Sequence, residues 1–155
     1  MNDSESLVRQ LDLAIHGEAW HGPSWKEILE GLTATDAGAR PIEGAHTIFE
    51  ILRHATTWND VVRRRLEGEV PDVSDAEDWP GPVGADTWAD AVARFFDRGV
   101  ALRDTVARFP AERLHEPRAT PATGSWSDLI LGQLQHLTCH AGQVALLKKG
   151  LPARG

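Results

Sequence analysis

Three histidines have the spacing and surroundings expected of metal ligands. His136 and His140 are four residues apart, so on an α-helix, with about 3.6 residues per turn, both imidazoles project from one face within reach of one ion. Apolar residues flank both at helical spacing, which directs the rings toward the interior, where polar groups need partners. His54 lies near the edge of a second apolar helix face and could bring a third ligand. The alternative is that these histidines are hydrogen-bonded to other core groups.

An ion held by three protein ligands keeps one coordination position open, as in catalytic zinc sites, whereas structural zinc is closed by four ligands. An open position can activate water or bind a thiolate. We therefore predict that His54, His136 and His140 hold one divalent metal ion. His21 lies in a Trp-His-Gly-Pro segment, where a broken helix could point its side chain into the mouth of the site. It is the candidate catalytic residue.

The remaining histidines and the single cysteine have weaker functional claims. His16 adjoins a helix end and is predicted at the surface, and His46 is predicted to be a structural neighbour of a helix start. His115 completes a Glu-x-x-His spacing that di-iron bundles use twice but that occurs once here, which excludes a di-iron site. Cys139 lies off the ligand face of its helix and is predicted to be a small packing residue.

Four amphipathic helices are predicted to position these residues. The predicted helices run from Asp3 or Ser4 to about Gly17 with a second start at Ser24, from Thr47 to Gly68, from Asp86 or Thr87 to Pro110, and from Ser125 to Gly150. The acidic, proline-containing stretch at residues 69–84 is predicted to be a long surface loop. The fold class is therefore all-α: a four-helix bundle with a broken first helix and a long loop between helices 2 and 3. Bundle cores commonly hold metal sites.

Size and composition are those of one globular domain over residues 1–155. Apolar residues make up 41% and charged residues 25% of the chain, close to the averages for globular proteins. The formal net charge of −7 disfavours a nucleic-acid partner. No apolar run approaches the roughly 20 residues of a membrane span, and the N-terminus is acidic, unlike a signal peptide. We expect no membrane partner and a cytoplasmic location, which the single cysteine also fits.

The sequence resembles the DinB/YfiT-like superfamily of metal-binding four-helix bundles nearly end to end. The segments that carry the resemblance are residues 19–24 (AWHGPS), residues 46–48 (HTI) followed by His54 and Trp58, residues 65–68 (RLEG), and residues 135–143 (QHLTCHAGQ). The last segment is the most specific, because it contains the family's HxxxH-x-GQ pattern without gaps.

This resemblance implies a three-histidine site for zinc, nickel or a similar ion, carried by His54, His136 and His140, often within a homodimer. Members of known activity are similar to thiol S-transferases that use bacillithiol or mycothiol as the low-molecular-weight thiol. Others are described as metal-dependent hydrolases, and many have no assigned activity. The family name implies no DNA binding. Cys139 stands where an aromatic residue is frequent in the family, which weakens a catalytic role for its thiol.

The leading hypothesis is a metal-dependent thiol S-transferase that joins a low-molecular-weight thiol to a small electrophilic substrate. The alternative is a metal-dependent hydrolase, for which the sequence offers only His21 or an acidic loop residue as general base. A further alternative is a non-catalytic metal or small-molecule binding protein. We also expect a homodimer, because the last helix carries a second apolar face, although the broken first arm could cover it. That face comprises Leu131, Leu134, Ala141 and Ala145.

Overall fold

The computed structural model describes residues 2–80, 87–119 and 123–152, which form helices and irregular segments. In this part of the chain the α-helices are α1 (Asp3–His16), α2 (Trp25–Leu29), α3 (Ala34–Gly38), α4 (Ile48–Leu66), α5 (Asp75–Asp78), α6 (Trp88–Arg108) and α7 (Trp126–Lys149). A single 3-10 turn, Ala111–Arg113, follows α6. The prediction of an all-α fold is confirmed.

Reciprocal capping boxes start the helices of the bundle. In each box the cap side chain accepts a hydrogen bond from the backbone N–H three residues on, and the acidic side chain there accepts one from the cap N–H. The boxes are Asn2 with Glu5 for α1, Ser24 with Glu27 for α2, Thr47 with Glu50 for α4, Thr87 with Asp90 for α6, and Ser125 with Asp128 for α7. The predicted starts at Ser24, Thr47 and Ser125 are confirmed.

The four long helices pack as a bundle around one core. α4 packs on α6 and α7, and α1 packs on the same two helices, so α1 and α4 lie diagonally across the bundle. Leu11 of α1, Leu52 of α4, Phe95 of α6 and Leu137 of α7 are fully buried between them. Each such side chain contributes about 1.5–3 kcal/mol to the hydrophobic free energy of folding. The predicted four-helix bundle is confirmed.

The first arm is broken, as predicted, and its second part covers α7. α1 ends at His16, and α2 begins after the predicted joint at residues 20–23. Trp25 of α2 is fully buried, and its indole N–H donates to the backbone carbonyl of Leu137 at 3.1 Å. From α7, the Lys148 ammonium donates to backbone carbonyls of the arm at Ile28 and Glu30. Helix α3, with Thr33 as its cap, was not predicted.

The stretch predicted as a surface loop folds back onto the bundle at its far end. Residues 69–80, which we call the strap, contain helix α5 and then return to α4 through Asp78 and Trp79. None of residues 69–80 is buried, in line with the predicted surface stretch, but the packing of Trp79 on the His54 ring of α4 was not predicted. The remainder of the predicted loop, residues 81–84, lies outside the described residues. None of the described helices is long and apolar enough to span a membrane.

Candidate metal centre

The three predicted ligands converge at the interface of α4 and α7. The Nε2 atom of His136 lies 2.8 Å from His54 Nε2 and 3.0 Å from His140 Nε2. All three ligand nitrogens lie within 4.8 Å of one another. Two imidazole nitrogens at about 2.0–2.1 Å from one ion lie roughly 2.9–3.4 Å apart for bond angles between about 90° and 110°. The two short separations are close to the lower end of that range, so this cluster could hold a metal ion.

Helix packing buries the cluster unevenly. His54 is 5% exposed and His140 is 8% exposed, whereas His136 is half-buried. His136 and His140 are one turn apart on α7, and His54 faces them from α4 because these two helices pack directly together. A small molecule would therefore reach the cluster from the side of His136.

Hydrogen bonds to the far ring nitrogens fix the tautomers of two of the histidines. His54 Nδ1 lies 2.7 Å from the backbone carbonyl oxygen of Asp78 and 3.2 Å from its carboxylate oxygen. Both oxygens only accept hydrogen bonds, so His54 Nδ1 must carry the proton. His140 Nδ1 donates in the same way to the side-chain oxygen of Gln143 at 2.6 Å. In both rings the unprotonated nitrogen is therefore Nε2, which faces the other histidines.

This arrangement leaves more lone pairs than protons at the centre of the cluster. His54 and His140 each present an Nε2 lone pair to His136 Nε2, which can donate at most one N–H to them. The Nδ1 atom of His136 is buried and has no hydrogen-bond partner within the described ranges. Mutual hydrogen bonding, the alternative to metal binding, therefore cannot satisfy all three rings. One cation between the three Nε2 atoms would satisfy every lone pair, so the donor set fits a divalent metal ion.

Burial keeps the rings in the neutral form that binds metals. The pKa of His136 is lowered to about 4, first by burial and then by the positive charges that His140 and His54 would carry, against a smaller opposing effect of Asp78. Burial also lowers the pKa of His140, although its hydrogen bond to Gln143 opposes this. At neutral pH the rings of His136 and His140 therefore carry no charge, and neither needs to lose a proton when a metal binds.

Two tryptophans form walls around His54. Trp79 of the strap stacks flat on the His54 ring, with centroids 3.9 Å apart and an interplanar angle of 6°. The other face of Trp79 is covered by His46 at 3.7 Å and 7°. Trp58 lies edge-on to His54 and His136, and its indole N–H donates to the Asp78 carboxylate at 2.6 Å. These walls shield the cluster from water on the strap side.

The sequence interpretation missed Asp78 and Trp79. Both lie in a stretch without helical or strand periodicity, where pattern reasoning predicts only solvent exposure. The available signal was a large aromatic residue within an otherwise acidic, proline-containing segment. His46 was predicted as a neighbour of a helix start, and its Nδ1 does lie 3.5 Å from Glu50 in the first turn of α4. Its stacking on Trp79 was not predicted.

Other residues singled out in the sequence lie apart from the cluster. His21 is exposed in the turn at residues 19–22, and the three-histidine group does not include it. Its catalytic role remains a prediction. Cys139 is exposed, so its prediction as a packing residue is wrong: it points from α7 toward solvent. His115 is exposed and bonds Asp3, while His16 is half-buried beside Asp12.

A cavity of about 430 Å³ lies on the other side of the strap, between α4 and α6. Four of its lining residues are arginines, which are Arg53, Arg64, Arg94 and Arg98. Carboxylates of Asp60, Asp72 and Glu77 also line it. Within the chain, Arg64 pairs with Glu69 and Arg98 pairs with Asp60.

The sequence was also compared with known proteins. The model of the DinB superfamily matches residues 20–144, which include the three histidines and the strap. No curated protein matches the chain. No solved structure matches it.

Proposed function

We propose, because this chain belongs to the DinB superfamily, that it is a metal-dependent thiol S-transferase. In this proposal His54, His136 and His140 hold one divalent ion, and the site joins a low-molecular-weight thiol to a small electrophilic substrate. The observation that carries it is the convergence of three imidazole Nε2 atoms, with His54 and His140 held in the tautomer that directs the Nε2 lone pair toward His136. Imidazole ligands suit zinc and nickel, which are the proposed metals.

The number of ligands supports catalysis over a purely structural role. Among the described residues, the cluster contains three possible ligands and no fourth. Structural zinc is normally closed by four protein ligands, whereas catalytic zinc keeps a position for water or substrate. When bound, the ion would lower the pKa of a coordinated thiol and so supply a thiolate nucleophile at neutral pH.

Residues of this chain would orient the ligands and shield the reacting groups. Asp78 and Gln143 hold His54 and His140 in the tautomer that directs Nε2 inward. Trp58 and Trp79 exclude water on the strap side, which strengthens electrostatic interactions in the site. His136, the half-buried ligand, marks the side from which thiol and electrophile would enter.

The alternative hydrolase needs a general base beside the open position. The carboxylate that contacts the cluster belongs to Asp78, and it already accepts a hydrogen bond from Trp58 and pairs with His54. His21, the other candidate base, is exposed in its turn. These contacts favour the transferase over the hydrolase.

Turnover of monochlorobimane or a halogenated aromatic electrophile tests the proposed reaction. Each is incubated with bacillithiol, mycothiol or glutathione, with and without added Zn²⁺ or Ni²⁺, and His115→Ala serves as a control that changes an exposed histidine. Turnover that requires both a thiol and a metal supports the transferase. Ester or amide cleavage without a thiol would support the hydrolase instead. Absence of both activities in a metal-loaded protein would support a non-catalytic binder.

We further propose that the chain forms a homodimer through the outer face of α7. Leu131 and Leu146 are 42% and 59% exposed on this helix, and large exposed apolar side chains are often covered by a partner. Ala141, assigned to this face from the sequence, is instead buried in the chain's own core. Sedimentation equilibrium of the wild type and of Leu146→Glu tests the proposal. A dimer that the substitution dissociates supports it, and a wild type that stays monomeric at micromolar concentration contradicts it.

A further inference from the structure

The strap has little buried surface to hold it on the bundle. Helix α5, which forms its centre, contains no buried residue. Val70 near its start is 87% exposed. On its inner side, Pro71, Val73 and Pro80 border the cavity of about 430 Å³ and do not pack into the core. Segments with few buried contacts open locally at low free-energy cost, so the contacts at the two ends of the strap must decide whether it stays docked.

The end nearer the metal centre makes the closer contacts. The start of the strap is held by an exposed ion pair between Glu69 and Arg64, and such pairs contribute only about 0–1 kcal/mol. At its end, the backbone carbonyl of Asp78 accepts a hydrogen bond from the His54 ring, and its carboxylate accepts one from the Trp58 indole. Trp79 is stacked between His54 and His46. Docking of the strap therefore depends mainly on a ring that is itself a proposed metal ligand.

We infer that Asp78 and Trp79 are positioning residues of the metal centre, and that docking of the strap and occupancy of the metal site are coupled. The inference rests on the proposed metal binding, though not on the proposed transferase reaction. The docked strap fixes the tautomer and plane of His54, which prepares its Nε2 atom for the ion. A bound ion fixes the same ring from the other side and so favours the docked strap. Because the coupling is an equilibrium free energy, each event must promote the other equally.

The first test measures Zn²⁺ affinity by competition with a chromophoric chelator. Loss of an outer-shell partner of a ligating histidine typically weakens metal binding 10–100-fold. Trp79→Ala removes the ring stacked on His54. Asp78→Ala keeps the backbone carbonyl that His54 Nδ1 contacts but removes the carboxylate, which lies 3.2 Å from Nδ1 and accepts from Trp58. We expect each substitution to weaken Zn²⁺ binding by about tenfold or more, because the strap loses contacts that hold it on His54. Asp78→Asn, which keeps an acceptor oxygen for Trp58, should weaken Zn²⁺ binding less than Asp78→Ala does. Asp72→Asn removes a charge from the same strap away from the histidines, and it should bind Zn²⁺ as the wild type does.

The second test measures amide hydrogen exchange of residues 69–80 with and without Zn²⁺. We expect Zn²⁺ to slow exchange in the strap of the wild type and of Asp72→Asn, and to have much less effect on it in Asp78→Ala. Exchange in α6 reports whether each variant is folded. If Asp78→Ala unfolds, the comparison of Asp78→Asn with the wild type decides the question.

The two proposals fail in distinguishable ways. A wild type that binds Zn²⁺ with strap exchange unchanged, or folded Asp78 and Trp79 variants with wild-type affinity, would overturn the coupling and leave the metal site standing. A wild type that binds neither Zn²⁺ nor Ni²⁺ would overturn both. Tight metal binding and a coupled strap without thiol turnover would overturn only the transferase.

Discussion

The three histidines lie on two long helices whose packed faces are buried. Asp78 and Trp79, which contact the His54 ring, lie instead on a strap that is largely exposed. The closest link between the two parts is the His54 ring, whose Nε2 faces the histidines of α7 and whose Nδ1 donates to the backbone carbonyl of Asp78. Trp58 of α4 adds a hydrogen bond from its indole N–H to the Asp78 carboxylate. The helices supply ligand positions that do not depend on the strap. The strap orients one of those ligands. Substitutions in the strap should therefore have smaller effects on stability and metal binding than substitutions in the helices.

The largest difference between the two parts should be in their contributions to global stability. Phe95 of α6 is fully buried, and Val70 of the strap is 87% exposed. We expect Phe95→Ala to lower the free energy of unfolding by about 3–5 kcal/mol, through lost burial and the cavity that remains. Val70→Ala should change it by less than about 0.5 kcal/mol. Urea denaturation of both variants measures the difference, and a comparable loss in Val70→Ala would mean that the strap belongs to the cooperative core.

An effect of intermediate size on the free energy of unfolding should appear when the metal-free protein is acidified. Burial and the neighbouring His140 and His54 lower the pKa of His136 from 6.5 to about 4, so between these values the unfolded chain binds a proton that the folded chain excludes. The free energy of unfolding should therefore decrease as the pH falls through that window, and His136 should add nothing to this dependence above it.

Urea denaturation of the metal-free protein between pH 7 and pH 4 measures this dependence. The variant His136→Gln removes one titrating ring and should show a smaller decrease, while His115→Ala, at an exposed histidine, should follow the wild type. An equal decrease in His136→Gln and in the wild type would show that His136 is not held neutral by the fold.

Substitution of Cys139 should have the smallest effect on metal binding and turnover. This residue lies on α7 between two of the proposed ligands, but its side chain is exposed. Cys139→Ser should keep metal binding and any thiol-dependent turnover, because the proposed nucleophile is an external thiol. Turnover and metal content of the two proteins are compared directly. A hundredfold drop in turnover, equal to about 2.7 kcal/mol of transition-state stabilisation, would transfer the chemistry to Cys139.

The same comparison explains what could be predicted from the sequence. His54, His136 and His140 lie on helices whose apolar spacing and capping boxes are local properties, so their faces could be worked out without the fold. Asp78 and Trp79 have no such periodicity, and their positions depend on tertiary contacts with His54, His46 and Trp58. The second apolar face of α7 was interpreted as an interface, with burial under the broken first arm as the alternative. Ala141 of that face is buried in the chain, and α2 of the broken arm packs on α7. Helix periodicity alone could not decide between the two, because it does not show which neighbour covers a face.

The central claim is that three histidines on α4 and α7 hold one divalent ion, and the metal content of purified protein after dialysis tests it most directly. Elemental analysis should find about one ion per chain in the wild type and in the control His115→Ala. It should find little in His54→Ala, His136→Ala or His140→Ala, because two ligands remain in each. Full occupancy in His54→Ala, with loss in the other two, would contradict the assigned site and make His21 the next candidate for the third ligand.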